Sequence, residues 1–183
     1  MAFQAAPSGY ALWLVPTGDV EERFTEVIRT LAARFRTPRF APHVTLVGGI
    51  PGPEAGVCAR AKELATTIRP LEIRLLHAYA RPDYFQSLVV KVEPTRELME
   101  AQARARIMLG GRQDGPFFPH LSLMYGRTSM EKKEALLREL GDDFGESFAV
   151  RSLELVSLSG APEDWHAVAS LPLADRRRRG RSR

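Results

Sequence analysis

Phe40-Ala41-Pro42-His43-Val44-Thr45-Leu46 and Phe117-Phe118-Pro119-His120-Leu121-Ser122-Leu123 are two readings of one heptapeptide, 77 positions apart. Phe, Pro, His and the final Leu are identical. Val/Leu and Thr/Ser are conservative pairs. The core of each is His-apolar-hydroxyl-apolar. For one His among the four of this chain, chance gives that pattern with a probability of roughly 0.02, so two hits come out at about two in a thousand.

The same offset of 77 organises everything around the two heptapeptides. Ahead of the first, residues 10–15 read as an apolar strand. Asp19 with Glu22 reads as a capping box opening a helix that carries Phe24, Val27, Ile28, Leu31 and Phe35 at helical spacing. His43 opens a strand that Gly48-Gly49 ends. Residues 54–68 read as a helix and residues 71–79 as a strand. Pro82-Asp83 marks a turn. Residues 85–92 are β-branched and strand-like. A helix over 95–108, a strand over 120–124 and a helix capped by Ser129 then repeat the order. Strands over 148–159 and 165–173, around the turn Gly160-Ala161-Pro162, complete it. Two copies are too few for a solenoid. They predict an α+β fold of one duplicated domain over residues 1–174, bilobal and pseudo-two-fold. Antiparallel sheets line a central cleft, helices lie outside, and the lobes span roughly 10–82 and 84–173, with exchange of strands between them open.

On a strand, residues i and i+2 share a face. His43 therefore shares one with Thr45, and His120 with Ser122, while Val44, Leu46, Leu121 and Leu123 anchor the other face. Two such strands meeting at a cleft would present two imidazoles and two hydroxyls. Imidazole exchanges protons near neutral pH. The hydroxyls can donate to phosphate oxygens. That set suits phosphodiester hydrolysis without a metal: a neutral His takes a proton from water and a charged one protonates the leaving ribose oxygen. No third ligand accompanies either motif at metal-binding spacing, so no metal and no cofactor are expected. Walker A, GxGxxG and GxSxG signatures are absent.

Composition narrows the class. The 183 residues carry 44% apolar and 26% charged side chains, an ordinary globular balance. The formal charge of +4 belongs to the end of the chain, since residues 176–183 read RRRRGRSR and residues 1–174 balance to −1. The basic balance is therefore weak evidence for a nucleic-acid-binding body, and the tail is expected to be disordered and solvated, able to touch RNA or to serve as a nuclear signal. The lone Cys58 precludes an intrachain disulfide. Neither a signal peptide nor a membrane span is legible. A cytoplasmic monomer acting on a small molecule is expected.

With these residues in place, the chain is similar to the two-histidine (2H) phosphoesterase superfamily. It most resembles the eukaryotic-type cyclic phosphodiesterases. The likeness runs from about Tyr10 to Leu173. It includes Tyr10-Ala-Leu-Trp13 with Pro16, Pro38-Arg-Phe-Ala-Pro-His43-Val-Thr45, Phe85-Gln86, Pro119-His120-Leu-Ser122-Leu-Met-Tyr125 and Trp165. The resemblance implies hydrolysis of nucleoside 2′,3′-cyclic phosphates to 2′-phosphates, or of ADP-ribose 1″,2″-cyclic phosphate to the 1″-phosphate, in the aftermath of tRNA splicing. It implies acid–base roles for His43 and His120, and phosphate binding by Thr45 and Ser122. Tyr125 matches a ligand-contacting tyrosine. Trp13 and Phe85 lie where core packing is the default and a base pocket the functional reading. Arg36, Arg39 and Arg127 flank the motifs, while His77 and His166, with no hydroxyl two positions on, read as surface or structural histidines. Some relatives carry several cysteines that can pair; this chain lacks them. Two alternatives stand beside this reading: processing of RNA ends bearing 2′,3′-cyclic phosphates or 2′–5′ linkages, and a non-catalytic nucleotide- or RNA-binding module.

Overall fold

A computed structural model describes residues 8–112, 115–141 and 144–174. The arginine-rich tail lies outside the described residues. The elements run β1 (Tyr10–Leu14), α1 (Asp19–Phe35), β2 (Val44–Ile50), α2 (Glu54–Ala65), β3 (Leu71–Ala80) and β4 (Leu88–Val92). They continue with α3 (Arg96–Leu109), β5 (His120–Met124), α4 (Met130–Leu140), β6 (Ser147–Val150), β7 (Ser152–Ser157) and β8 (His166–Pro172). A short 3₁₀ turn, Pro162–Asp164, precedes β8.

The strands form one antiparallel eight-stranded sheet, ordered β6-β3-β4-β5-β2-β1-β7-β8. Its middle is a single residue pair, Val44 opposite Leu121. On either side the order is equivalent: β5, β4, β3 and β6 one way, β2, β1, β7 and β8 the other. Thus β3 pairs with β4, and β7 with β1. Only Arg151 separates β6, at one edge, from β7, next to the other edge. The sheet must curl round for so short a link to join them.

One face is the core. Leu12, Leu14, Val44, Leu46, Val90, Leu121 and Leu123 are buried there in one cluster with Phe24 and Leu31 of α1, Val57, Ala61 and Leu64 of α2, Leu98, Ala101 and Ala105 of α3, and Leu136 of α4. Each Val, Leu or Phe side chain among them contributes about 1.5–3 kcal/mol on leaving water, offset by chain ordering. The duplication crosses over in packing: α1 packs on β5, and α3 on β2. The opposite face carries a smaller apolar set, Ala11, Trp13, Val156 and Leu158.

Several boundaries differ from the sequence reading for identifiable reasons. Gly18, at φ 63° and ψ −141°, caps α1, and Asp19 becomes the first helical residue with no capping bond. There it joins Glu21 and Glu22 in complementing the positive helix end. Thr95 and Ser129 do cap α3 and α4, accepting from the Leu98 and Lys132 amides. Gly48-Gly49 does not end β2, because Gly49 at φ 63° lets the strand bulge and continue to Ile50. The helix expected over 54–68 stops at Ala65, where Thr66 and Thr67 turn their hydroxyls back onto the Glu63 and Leu64 carbonyls. The strand expected over 85–92 begins at Leu88; Phe85 sits in the preceding turn, whose Arg81 amide donates to the Ser87 carbonyl. The strand expected over 148–159 breaks at Arg151, because its two parts pair with different strands.

Candidate active site

His43 immediately precedes β2 and His120 opens β5, so the Val44–Leu121 pair sets the two histidines on either side of the sheet's midpoint. Their settings repeat in detail. His43 Nδ1 lies 2.7 Å from the Ala41 carbonyl oxygen, and His120 Nδ1 lies 2.8 Å from that of Phe118. A carbonyl only accepts, so each Nδ1 carries the proton and each neutral ring keeps Nε2 as a base. This i−2 bond is not diagnostic alone, since the exposed His166 makes it to Asp164.

Their surroundings differ. His43 is 5% exposed and lies flat on Trp13, ring centroids 3.6 Å apart and planes at 8°. The Phe40 ring meets it edge-on at 6.2 Å. Burial pushes its pKa down to about 4; the Ala41 bond opposes this and the His120 charge reinforces it. His120 is half-buried and stacks on Phe118 at 5.5 Å. Burial lowers its pKa too, the Phe118 bond opposes, and the Arg81 charge adds to the lowering. The sensitivity of His43 to the charge of His120 places the two rings within electrostatic reach.

Thr45 is half-buried and opposes Trp13 across β1 and β2. Ser122 is buried, opposes Val89, and donates to the Phe85 carbonyl at 3.2 Å. Each is two residues beyond its His and shares its face. Tyr125 stacks on Phe40 at 3.8 Å and meets Phe85 edge-on at 5.4 Å, with Trp165 at 6.1 Å. It is 4% exposed. Burial pushes its phenol well above the ordinary value, so it stays protonated, with Ser122 opposing through a hydrogen bond. Trp13 and Phe85 each face Trp165, at 6.2 and 6.3 Å. The aromatic residues singled out in the sequence thus form one continuous cluster beside His43.

The other candidates lie at the surface. Arg36, Arg39 and Arg127 are exposed. His77 and His166 are exposed as well, and His77 contacts Tyr79 at 6.1 Å. Sequence reasoning missed Arg81 and Phe118. The Arg81 guanidinium carbon lies 5.2 Å from the centre of the Phe118 ring that stacks on His120. Nothing in the heptapeptides signals Arg81, because its placement needs β3 to lie two strands from β5. Among the described residues no group of three or more His, Cys, Asp or Glu is arranged to hold a metal ion. None of the described helices is long and apolar enough to cross a membrane.

Residues 8–173 match the family model described as "Cyclic phosphodiesterase-like protein". The cyclic phosphodiesterase of Arabidopsis thaliana is 28% identical over 174 residues, covering 87% of this chain and 92% of that protein. The crystal structure of TT0787 of Thermus thermophilus superimposes with a TM-score of 0.66 at 20% identity, over 90% of this chain and 97% of that one. E. coli LigT, crystallised with NADP+, gives 0.61 at 18% identity, over 93% and 100%. At such identities the superpositions carry the fold alone. The fold, the paired His-x-Thr/Ser strands and a match over nearly the whole body agree: the chain belongs to the cyclic phosphodiesterase-like protein family and is an enzyme of the 2H phosphoesterase superfamily.

Proposed function

We propose that the cleft hydrolyses a ribose cyclic phosphodiester, either a nucleoside 2′,3′-cyclic phosphate to the 2′-phosphate or ADP-ribose 1″,2″-cyclic phosphate to the 1″-phosphate, with His43 and His120 as the acid–base pair and no metal. The observation that carries this reading is the repeated histidine setting. Two imidazoles flank the centre of one sheet, each with Nδ1 held by its own i−2 carbonyl. Each ring is thereby oriented with one exchangeable position left for chemistry.

The steps balance on these groups alone. One neutral Nε2 takes a proton from water as the water oxygen bonds to phosphorus. The other imidazole, protonated, gives its proton to the ribose oxygen as the P–O bond breaks. Thr45 donates a hydrogen bond to a non-bridging oxygen, where negative charge grows, and Ser122 does so once its hydroxyl turns from the Phe85 carbonyl to the phosphate. Burial and mutual repulsion disfavour two imidazolium ions in the empty site. The substrate phosphate supplies the negative charge that lets one ring protonate. Of the aromatic cluster, the half-buried Phe85 and Trp165 offer faces for a base. That LigT was crystallised with 3′-AMP, with phosphate and with NADP+ is consistent with small nucleotide ligands.

The test is turnover of 2′,3′-cyclic AMP in EDTA with the product isomer resolved. The reading expects 2′-AMP. Formation of 3′-AMP, or activity lost in EDTA and restored by metal, contradicts it. Tight binding with no turnover would leave the binding-module reading.

A further inference from the structure

The two flanks of the site are unlike in charge. Lys91 is the cross-strand partner of His120. Directly opposed residues project from the same face of a sheet. The neighbouring pair, Val90 and Leu121, points into the core, so Lys91 shares the face of His120. It is half-buried, and it has no ion-pair partner among the described residues.

Arg81 brings a second cation to His120, through Phe118. It is held from every side. Its amide donates to the Ser87 carbonyl at 3.1 Å, and its carbonyl accepts from the buried Lys133 Nζ at 2.6 Å. Its Nε and Nη2 both lie 3.1 Å from Asp83 Oδ2. It also hydrogen-bonds the Tyr79 hydroxyl, and the side chain is nonetheless 34% exposed. A guanidinium fixed in this way meets an anion with little ordering cost.

Along β1, the cross-strand neighbours on the His43 side are uncharged. Trp13 opposes Thr45 where Val89 opposes Ser122, and Leu14 opposes Val44 where Val90 opposes Leu121. Val15 therefore stands where Lys91 stands in the other half. Beyond Trp13 lies Glu154, its carboxylate accepting from the Ser152 and Ser170 hydroxyls. One flank is aromatic and acidic, the other cationic.

We propose that Arg81 and Lys91 form a second anion subsite on the His120 side of the cleft, selecting cyclic phosphodiesters whose ribose bears a further phosphate away from the ring being opened. The proposal rests on the reaction proposed above. The aromatic flank takes the base and the cationic flank takes the additional phosphate, so the substrate enters in one orientation. The subsite serves one phosphate rather than a long polyanion, because the body of the chain is near neutral.

The test compares calorimetric affinities of two product-like ligands, 2′-AMP and adenosine 2′,5′-bisphosphate. The native chain is expected to bind the bisphosphate about tenfold more tightly or better, as for one charge-assisted hydrogen bond. Lys91→Gln and Arg81→Gln should each reduce that ratio and together collapse it towards unity. Arg104→Gln, a distant cation held by the Thr67 carbonyl, should leave it intact. If Arg81→Gln fails to fold, Lys91→Gln alone must still lower the ratio. A native ratio near one, or a ratio that survives in both variants, overturns the proposal. So does a large further gain in affinity with the length of an oligonucleotide 2′-phosphate. Turnover of 2′,3′-cyclic AMP is read separately, so loss of the reaction and loss of the subsite give different results.

Discussion

Val44 and Leu121 face each other across the centre of the sheet, and they are the same residue of the two halves, 77 positions apart. The pseudo-two-fold relation therefore passes through this one cross-strand pair. The residues before and after each partner inherit the relation: across this antiparallel pair His43 lies on the Ser122 side and His120 on the Thr45 side. A duplicated chain has in this way built a site that neither half has alone, with the two imidazoles close enough for the charge of His120 to bear on His43.

Acid should unfold this protein through its own histidines. Both folded-state pKa values lie below the ordinary imidazole value, His43 at about 4. The unfolded chain thus binds more protons as pH falls below about 6.5. Stability is full above that pH and declines from there towards about 4, by on the order of 3 kcal/mol for His43 alone. Urea midpoints across this window should fall with pH, and His43→Gln should flatten the slope. An unchanged slope in that variant would contradict the burial account.

Catalysis should share the acid bias. In the free enzyme both rings are neutral at neutral pH, so protonation of the acid limits kcat/KM. Its profile should be bell-shaped, with an optimum below the ordinary imidazole pKa and a decline as pH rises. The optimum of kcat should lie higher, because the bound phosphate favours the imidazolium. Coincident optima would sink the electrostatic part of the mechanism.

Trp13 covers His43 and excludes water from it. Trp13→Leu removes a stack worth about 0.5–1.5 kcal/mol. With burial relieved, the His43 pKa should rise towards about 6.5, read as the titration of its ring proton by NMR. A His43 titration unchanged by the substitution would show that other groups depress its pKa.

Lys133 is 1% exposed and donates to the Arg81 carbonyl from α4. Lys133→Met leaves that carbonyl without its partner, at a cost of about 1–3 kcal/mol. The turn over residues 81–87 should loosen with it, including the Phe85 carbonyl that accepts from Ser122. Faster hydrogen exchange at the Arg81 amide is the local readout. Unchanged exchange and an unchanged urea midpoint would show that this bond holds nothing in place.

The sequence is most legible where chemistry and periodicity coincide. The heptapeptides place His43, Thr45, His120 and Ser122 by a two-residue period and a repeat, both local properties. Element order is equally local. Phe85 reads as strand because it stands just ahead of the Val-rich stretch over residues 88–92, whereas hydrogen bonding across the turn decides where pairing begins. The break at Arg151 is invisible because a continuous alternating pattern serves two partners equally well. Arg81 and Phe118 give no signal, since their contact joins the turn after β3 to the segment before β5, which only the curled sheet brings together.

The central claim is that His43 and His120 act as a pair. It is tested most directly by the single-turnover opening of 2′,3′-cyclic AMP in EDTA by the native chain, His43→Asn, His120→Asn and the double variant. Each single variant should lose at least about 10²–10⁴-fold while remaining folded, and the double should lose little more, as expected for groups that work as a unit. Near-native turnover in either single variant would contradict the account.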